Sequence, residues 1–227
     1  MSDPQAKAAS SQREAFFEAI RRAVVADGPA GPPTDRPTID EAVARRVGSG
    51  DDLVATFVEQ AEASGMCVHR TPRARLIETI IRSVQQCEAR TAAVGLQDEQ
   101  QSRRIETALH EIGLTLVDWR SAEGRERLFD ADVGVTDVLC GIAETGTLVL
   151  QCGASQARGL SLIPPVHVAV LRAGDIVPDL LDCPVPLAAA SAMTLVTGPS
   201  KTADIEGVLV NGVHGPGQVL AILLDDA

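Results

Sequence analysis

An α/β fold built on a mostly parallel sheet, with helices on both of its faces, is predicted by three observations. Short apolar runs begin near Met66, Thr91 and Leu114, so strand-like segments recur about every two dozen residues. Between them lie one-sided helical patterns: Leu76, Ile77, Ile80, Ile81 and Val84 share one face, and the stretch from Asp98 to Ile112 repeats the arrangement. With 45% hydrophobic and 22% charged residues among 227, the chain has material for a sizeable core in one domain, with room for an appendage.

The elements follow in order. Residues 1–12 are small and polar, as at a frayed terminus. Glu14 to Val25 has the pattern of an amphipathic helix, with Phe16, Phe17, Ile20 and Val24 on one side. Asp27 to Pro37 holds four prolines and two glycines and reads as an extended arm. Helix and arm, residues 1–48, are set apart from one α/β domain over residues 49–227. Asp51 and Asp52 cap a helix that places Leu53, Val54, Phe57, Val58 and Ala61 on one face, and Gly65 ends it. Met66 to His69 is a strand, and Thr71-Pro72 reads as a cap followed by proline at the first position of the next helix. Thr91 to Leu96 is a strand, Asp98 to Ile112 a helix stopped by Gly113, and Leu114 to Asp118 a third strand. After Arg127, Val133, Val135, Val138 and Ile142 lead into Ala143-Glu144-Thr145-Gly146-Thr147 and then Leu148-Val149-Leu150, a hairpin or sharp strand turn. Val166 to Leu171 is a strand and Ile176 to Leu181 a short helix. Ala188 to Val196 and Val219 to Leu224 supply further strands.

Composition narrows the function. A net charge of −11 repels phosphate backbones, and 2% aromatic residues leave few platforms for stacking bases, so no nucleic acid is expected as a partner. No apolar run approaches the ~20 residues of a membrane helix. The five cysteines are Cys67, Cys87, Cys140, Cys152 and Cys183. They contain no Cys-x-x-Cys pair and follow no signal peptide, which fits a reducing compartment and a cytoplasmic protein. They read as buried thiols, and the four histidines lack zinc spacing, so no metal is expected. No Gly-x-Gly-x-x-Gly fingerprint is present, so neither NAD nor flavin is assigned, and the chain is expected to carry no cofactor of its own.

Chemistry-bearing residues concentrate in two segments. In the first, Glu144 sits in an apolar stretch before a turn, where burial would favour the protonated form that acid–base work uses; the other reading is a carboxylate capping nearby N–H groups. In the second, Gly198 lets the backbone approach a ligand. Ser200, Thr202 or Asp204 caps a short helix whose free N–H groups, with Lys201, would cradle an anion; the other reading is a capped surface turn. The upstream glycine and Gly-Lys pair of a nucleotide P-loop are missing. His214, between Val213 and Gly215, lies on a loop at the end of a strand, where α/β sheets place ligands; a turn histidine is the alternative. His167 lies within a strand, as a core histidine or a ligand-facing one. Arg158 could clamp a carboxylate or simply be solvated.

Three pieces taken together carry a resemblance. Gly141-Ile142-Ala143-Glu144-Thr145-Gly146-Thr147-Leu148-Val149-Leu150 is the first. Leu160-Ser161-Leu162-Ile163-Pro164 with His167 is the second. Gly198-Pro199-Ser200-Lys201-Thr202-Ala203-Asp204-Ile205-Glu206, followed by Gly212-Val213-His214-Gly215-Pro216, is the third. In this order and spacing they closely resemble the lactate utilization protein C family, the LUD-domain proteins, sharply over about residues 130–225 and more loosely from 50 to 130. The resemblance implies a three-layer Rossmann-like sandwich akin to the sugar-phosphate isomerase and CoA-transferase fold. It also implies a role in oxidation of L-lactate to pyruvate beside iron–sulfur partner proteins, which would carry the clusters. On this basis Glu144, His214 and Asp204 are candidate catalytic residues. Thr145, Gly146, Thr147, Gly198, Ser200, Lys201, Thr202, Gly215, His167 and Arg158 are candidates for binding a small carboxylate or phosphate. Glu144, Ser200, Thr202, Asp204 and His214 are expected to meet in one pocket at the carboxyl ends of strands. Two other readings stay open: a non-catalytic assembly subunit, and a stand-alone enzyme like an isomerase or CoA transferase.

Overall fold

The computed structural model describes residues 13–23, 45–48, 50–121, 124–184, 192–202 and 210–225. The chain divides into two compact units, Met1–Ala44 and Arg45–Ala227. In the first, residues 13–23 form helix α1. Phe16 and Phe17 meet edge to face at 5.7 Å and Arg13 lies 5.7 Å over the Phe17 ring. Phe16, Phe17 and Ile20 are exposed.

The second unit is organised by a six-stranded sheet in the order β1-β12-β7-β4-β2-β3. Its strands are β1 (Cys67–Pro72), β2 (Thr91–Gly95), β3 (Thr115–Leu116), β4 (Val133–Asp137), β7 (Val166–Arg172) and β12 (Gln218–Asp225). Every neighbouring pair is parallel. Parallel strands need crossovers, and α3 (Leu76–Gln86) and α4 (Glu99–Glu111) supply two of them. Their apolar faces, including Leu76, Ile80, Val84, Ile105 and Leu109, pack on Val94, Val133, Val135, Val168 and Ile222 of the sheet. Asp98 caps α4, its Oδ1 accepting from the N–H groups of Gln100 and Gln101.

The opposite face is covered differently from expectation. Helix α2 (Leu53–Ala63), capped by Asp52, packs Phe57 and Ala61 there. Beside it lies a second, four-stranded sheet in the order β8-β5-β6-β9. It comprises β5 (Cys140–Ile142), β6 (Thr147–Cys152), β8 (Ile176–Val177) and β9 (Ala192–Val196). Leu148 and Leu150 of β6 join Phe57, Ala169, Leu171, Ala221 and Leu223 in one core. The layers are therefore helices, parallel sheet, and a mixed layer of helix and sheet. The Thr145-Gly146 stretch turns a hairpin as its sequence predicts, with Ile142 paired to Thr147.

Three local expectations are corrected. Ile176 to Leu181 is not a helix: β8 pairs in parallel with β5 and only Leu180–Asp182 forms a 3₁₀ turn. Two β-branched residues, Ile176 and Val177, sit beside an unsatisfied strand edge, and pairing wins. Thr71 caps no helix, because Pro72 closes β1 at φ −67 and ψ 149 before the 3₁₀ turn Arg73–Arg75. Ser200 caps none either: β10 (Lys201–Thr202) pairs antiparallel with β11 (Val210–Asn211).

Candidate functional site

The motif segments meet each other at the last turn of α2, which delivers the chain to the amino end of β1. Gly146 has φ +61, and a Cβ there would stand 2.2 Å from the Ala61 nitrogen. Gly198 has φ +82, and a Cβ there would stand 2.5 Å from the Ser64 carbonyl oxygen. Both are glycine because the backbone is left-handed and the helix end fills the side-chain space. The antiparallel register of β6 with β9 sets Leu148 opposite Val196 and so brings Thr147 beside Thr197. Thr147 Oγ1 lies 2.6 Å from Thr145 Oγ1 and 2.7 Å from Thr197 Oγ1, a chain of three hydroxyls. Lys201 Nζ donates to the Ser64 carbonyl at 2.7 Å, which puts its charge at the negative end of α2.

The other predicted residues are placed as follows. Glu144 donates its backbone N–H to the Pro178 carbonyl at 3.0 Å. Its side chain is 26% exposed, with Oε1 3.9 Å from Arg46 Nε. The Ser200 N–H donates to the Pro216 carbonyl and the Ser200 carbonyl accepts from the Gly212 N–H, both at 2.9 Å. A Cβ on Gly215 would lie 3.2 Å from Ser200 Cβ. His214 and Arg158 are exposed, and Thr202 is half-buried in β10. Asp204 lies outside the described residues. The loop carrying His214 leads into β12, and Gly217 donates to the Pro165 carbonyl just before β7. It therefore sits at the amino ends of those strands, not at the carboxyl ends expected.

His167 is wholly buried in β7, between Val219 of β12 and Gly134 of β4. Its Nε2 lies 2.9 Å from Thr136 Oγ1, while Nδ1 has no partner. Burial pushes the imidazole down to about 4, so the ring is neutral at physiological pH.

A crevice of about 300 Å³ opens at the other end of the sheet. It is lined by Arg73 after β1, Gln97 after β2, Asp137 closing β4, Arg172 closing β7 and Leu224 near the end of β12. The chain leaves β2 toward β3 on one side and returns to β4 on the other, so β2 and β4 flank the point where strand order reverses. Such a switch point is where open parallel sheets bind ligands. There the Gln97 N–H donates to Asp137 Oδ2 at 3.0 Å, and Gln97 Nε2 donates to the Gln151 carbonyl at 3.2 Å. Burial pushes the Asp137 carboxyl above the usual range and Asp98 adds to this, against the pull of the Gln97 N–H and the Arg172 guanidinium. Arg172 is held bidentately by Asp175, Nε to Oδ2 at 2.6 Å and Nη2 to Oδ1 at 3.0 Å. Arg73 is exposed at the rim. A partly buried carboxyl beside amide and guanidinium donors can exchange a proton with, and orient, a small polar molecule.

Sequence reasoning singled out none of these crevice residues. The available signal was positional: polar residues, Gln97 and Asp137, directly after buried strand runs. Among the described residues, no group of three or more His, Cys, Asp or Glu side chains is placed to hold a metal ion, and no helix is long and apolar enough to cross a membrane.

Comparison with known proteins gives the family and the fold. The LUD domain matches residues 54–224. The chain is 31% identical over 195 residues to Lactate utilization protein C of Halalkalibacterium halodurans, covering 78% of this chain and 81% of that one. It is 36% identical over 119 residues to the protein of the same name from Macrococcus caseolyticus, covering 48% of this chain and about half, 52%, of that one. The crystal structure of a DUF162 family protein from Deinococcus radiodurans superposes with a TM-score of 0.57 at 22% identity, over 76% of this chain and 96% of that one, and shares the fold.

Proposed function

This chain belongs to the LUD-domain family, and from that premise we propose that it serves L-lactate utilization, binding a small carboxylate and acting with iron–sulfur partner proteins. The name shared by the relatives supports the pathway. One structural observation supports the ligand: the crevice at the strand switch point, lined by the half-buried Asp137 and by the exposed Gln97 and Arg73. A 2-hydroxy acid offers one carboxylate and one hydroxyl. Arg73 is suited to the carboxylate and Asp137 to the hydroxyl proton. Conversion of lactate to pyruvate releases two electrons as well as two protons. The sequence holds neither a dinucleotide fingerprint nor a Cys-x-x-Cys pair, so the electron acceptor is assigned to the iron–sulfur partners.

A second reading, a non-catalytic assembly subunit, is favoured by a specific observation. Gly146, Thr147, Gly198 and Lys201 all have packing or capping roles at the end of α2. In that reading the motifs preserve a shape for a partner, and Glu144 and His214 at its margin make the contact.

The test has two arms. A strain lacking the protein, with no second copy, should fail to grow on L-lactate, and tagged protein from lactate-grown wild-type cells should carry iron–sulfur proteins with it. Calorimetric titration of the purified protein with L-lactate, pyruvate and phosphate then separates ligand binding from assembly. Saturable binding supports the first reading. Its absence together with copurification supports the second, and normal growth of the deletion strain sinks both.

A further inference from the structure

Two of the cysteines do not behave as isolated core thiols. Cys140 Sγ lies 3.3 Å from Cys183 Sγ, although the residues are 43 positions apart. Cys140 belongs to β5, paired with β6 on one side and β8 on the other, and is 1% exposed. Cys183 follows the 3₁₀ turn Leu180–Asp182, which its own N–H closes onto the Leu180 carbonyl, and is partly exposed. One sulfur is therefore fixed inside a sheet while the other touches it and also meets solvent. We infer that Cys140 and Cys183 form an oxidisable pair that closes to an intramolecular disulfide when the protein meets hydrogen peroxide.

The asymmetry sets the order of events. Burial and the neighbouring Cys183 push the Cys140 thiol up to about 12, so it is protonated in the resting protein and shielded from the oxidant. The Cys183 thiolate attacks a peroxide oxygen, the O–O bond breaks, and protonation of the departing hydroxide gives water and a sulfenic acid. Cys140 sulfur then attacks the sulfenic sulfur. The S–S bond forms, the S–O bond breaks, and the Cys140 proton leaves with the hydroxyl as a second water. Two thiols have then lost two electrons to one peroxide. Closing the remaining gap needs about 1.3 Å of approach to the usual S–S length, from sulfurs already in contact. The bond would staple residues 178–183 to β5, where the Val177 and Pro178 carbonyls already accept the N–H groups of Ala143 and Glu144. Reduction by a dithiol would release it.

The test uses the full chain, reduced, exposed to hydrogen peroxide, alkylated and digested for mass spectrometry. The Cys140 and Cys183 peptides should leave the alkylated pool together as one linked peptide, return with dithiothreitol, and raise the melting temperature by about 5–10 °C while linked. Cys140→Ser should leave Cys183 as a sulfenic acid that dimedone traps. Cys183→Ser should leave Cys140 a thiol. The proposal is overturned if Cys183 goes on to sulfinic acid while Cys140 keeps its thiol, if Cys140 links elsewhere, or if both thiols survive peroxide that consumes the exposed Cys67.

Discussion

Thr147 Oγ1 stands 2.7 Å from Thr197 Oγ1 across 50 residues of sequence, and this contact joins the two motif-bearing segments into one piece. Thr147 is the middle of three hydroxyls and is 4% exposed, so both neighbours depend on it. Thr147→Val keeps the shape but leaves Thr145 and Thr197 each short of a partner. It should lower the unfolding free energy by about 1–2 kcal/mol in urea titrations. Thr147→Ser, which restores the hydroxyl, should recover most of that loss.

Gly146→Ala should be far more damaging. The new Cβ would stand 2.2 Å from the Ala61 nitrogen, and the backbone is held at φ +61. Relief requires the hairpin to lift off α2, whose Phe57 and Ala61 are in the core. A loss above about 3 kcal/mol, or failure to fold, is expected by equilibrium unfolding. Gly153 is the control: nothing lies within 4 Å of a Cβ placed there, and Gly153→Ala should stay within about 0.5 kcal/mol of wild type.

These two positions also mark how far the sequence could be read. The hairpin, the parallel strands and their covering helices are legible because Thr-Gly punctuation and the period of apolar residues report backbone form directly. That Gly146 and Gly198 both rest on the end of α2 is not legible, since neither shape nor spacing names the distant helix that fills the glycine's empty side. Which strand ends the His214 loop occupies is not legible for a similar reason. A loop rich in Gly, Pro and His looks the same whether it enters or leaves a strand, and the loop around His214 enters β12. Asp137 gives little warning, because one carboxylate after Val133-Gly134-Val135-Thr136 gains its character from burial among strands distant in sequence, with Gln97 and Arg172 pulling the other way.

His167 makes stability depend on pH in a defined direction. Burial lowers the imidazole from about 6.5 to about 4. Between those values the unfolded chain binds the proton and the folded protein does not, so stability rises with pH across that window. The contribution is complete above about 6.5 and is lost as pH falls toward about 4, for a total of about 3 kcal/mol. Urea titrations at closely spaced pH should show this slope in wild type. In His167→Gln the slope over that window should shrink by the same amount, even though the variant is less stable at neutral pH.

Asp137 should show the opposite balance between stability and function. Its carboxyl is raised, so the folded protein resists ionisation there, and the penalty sets in as pH climbs through the folded value. An amide is spared that penalty and still accepts from the Gln97 N–H. Asp137→Asn should therefore be as stable as wild type at neutral pH, or slightly more so. If the crevice holds the ligand, the same change removes the group that exchanges a proton. Lactate-dependent growth should then be lost, since a lost acid–base group typically costs about 10²–10⁴-fold in rate. Arg73→Ala should weaken binding of lactate or pyruvate in titrations and leave stability unaltered, because Arg73 is exposed at the rim. Glu144→Gln and His214→Ala lie away from the crevice, and under this reading strains carrying them grow on lactate. Loss of growth in those two, with Asp137→Asn growing normally and all three folded, would shift the working surface to the motif end of the sheet and to a partner protein.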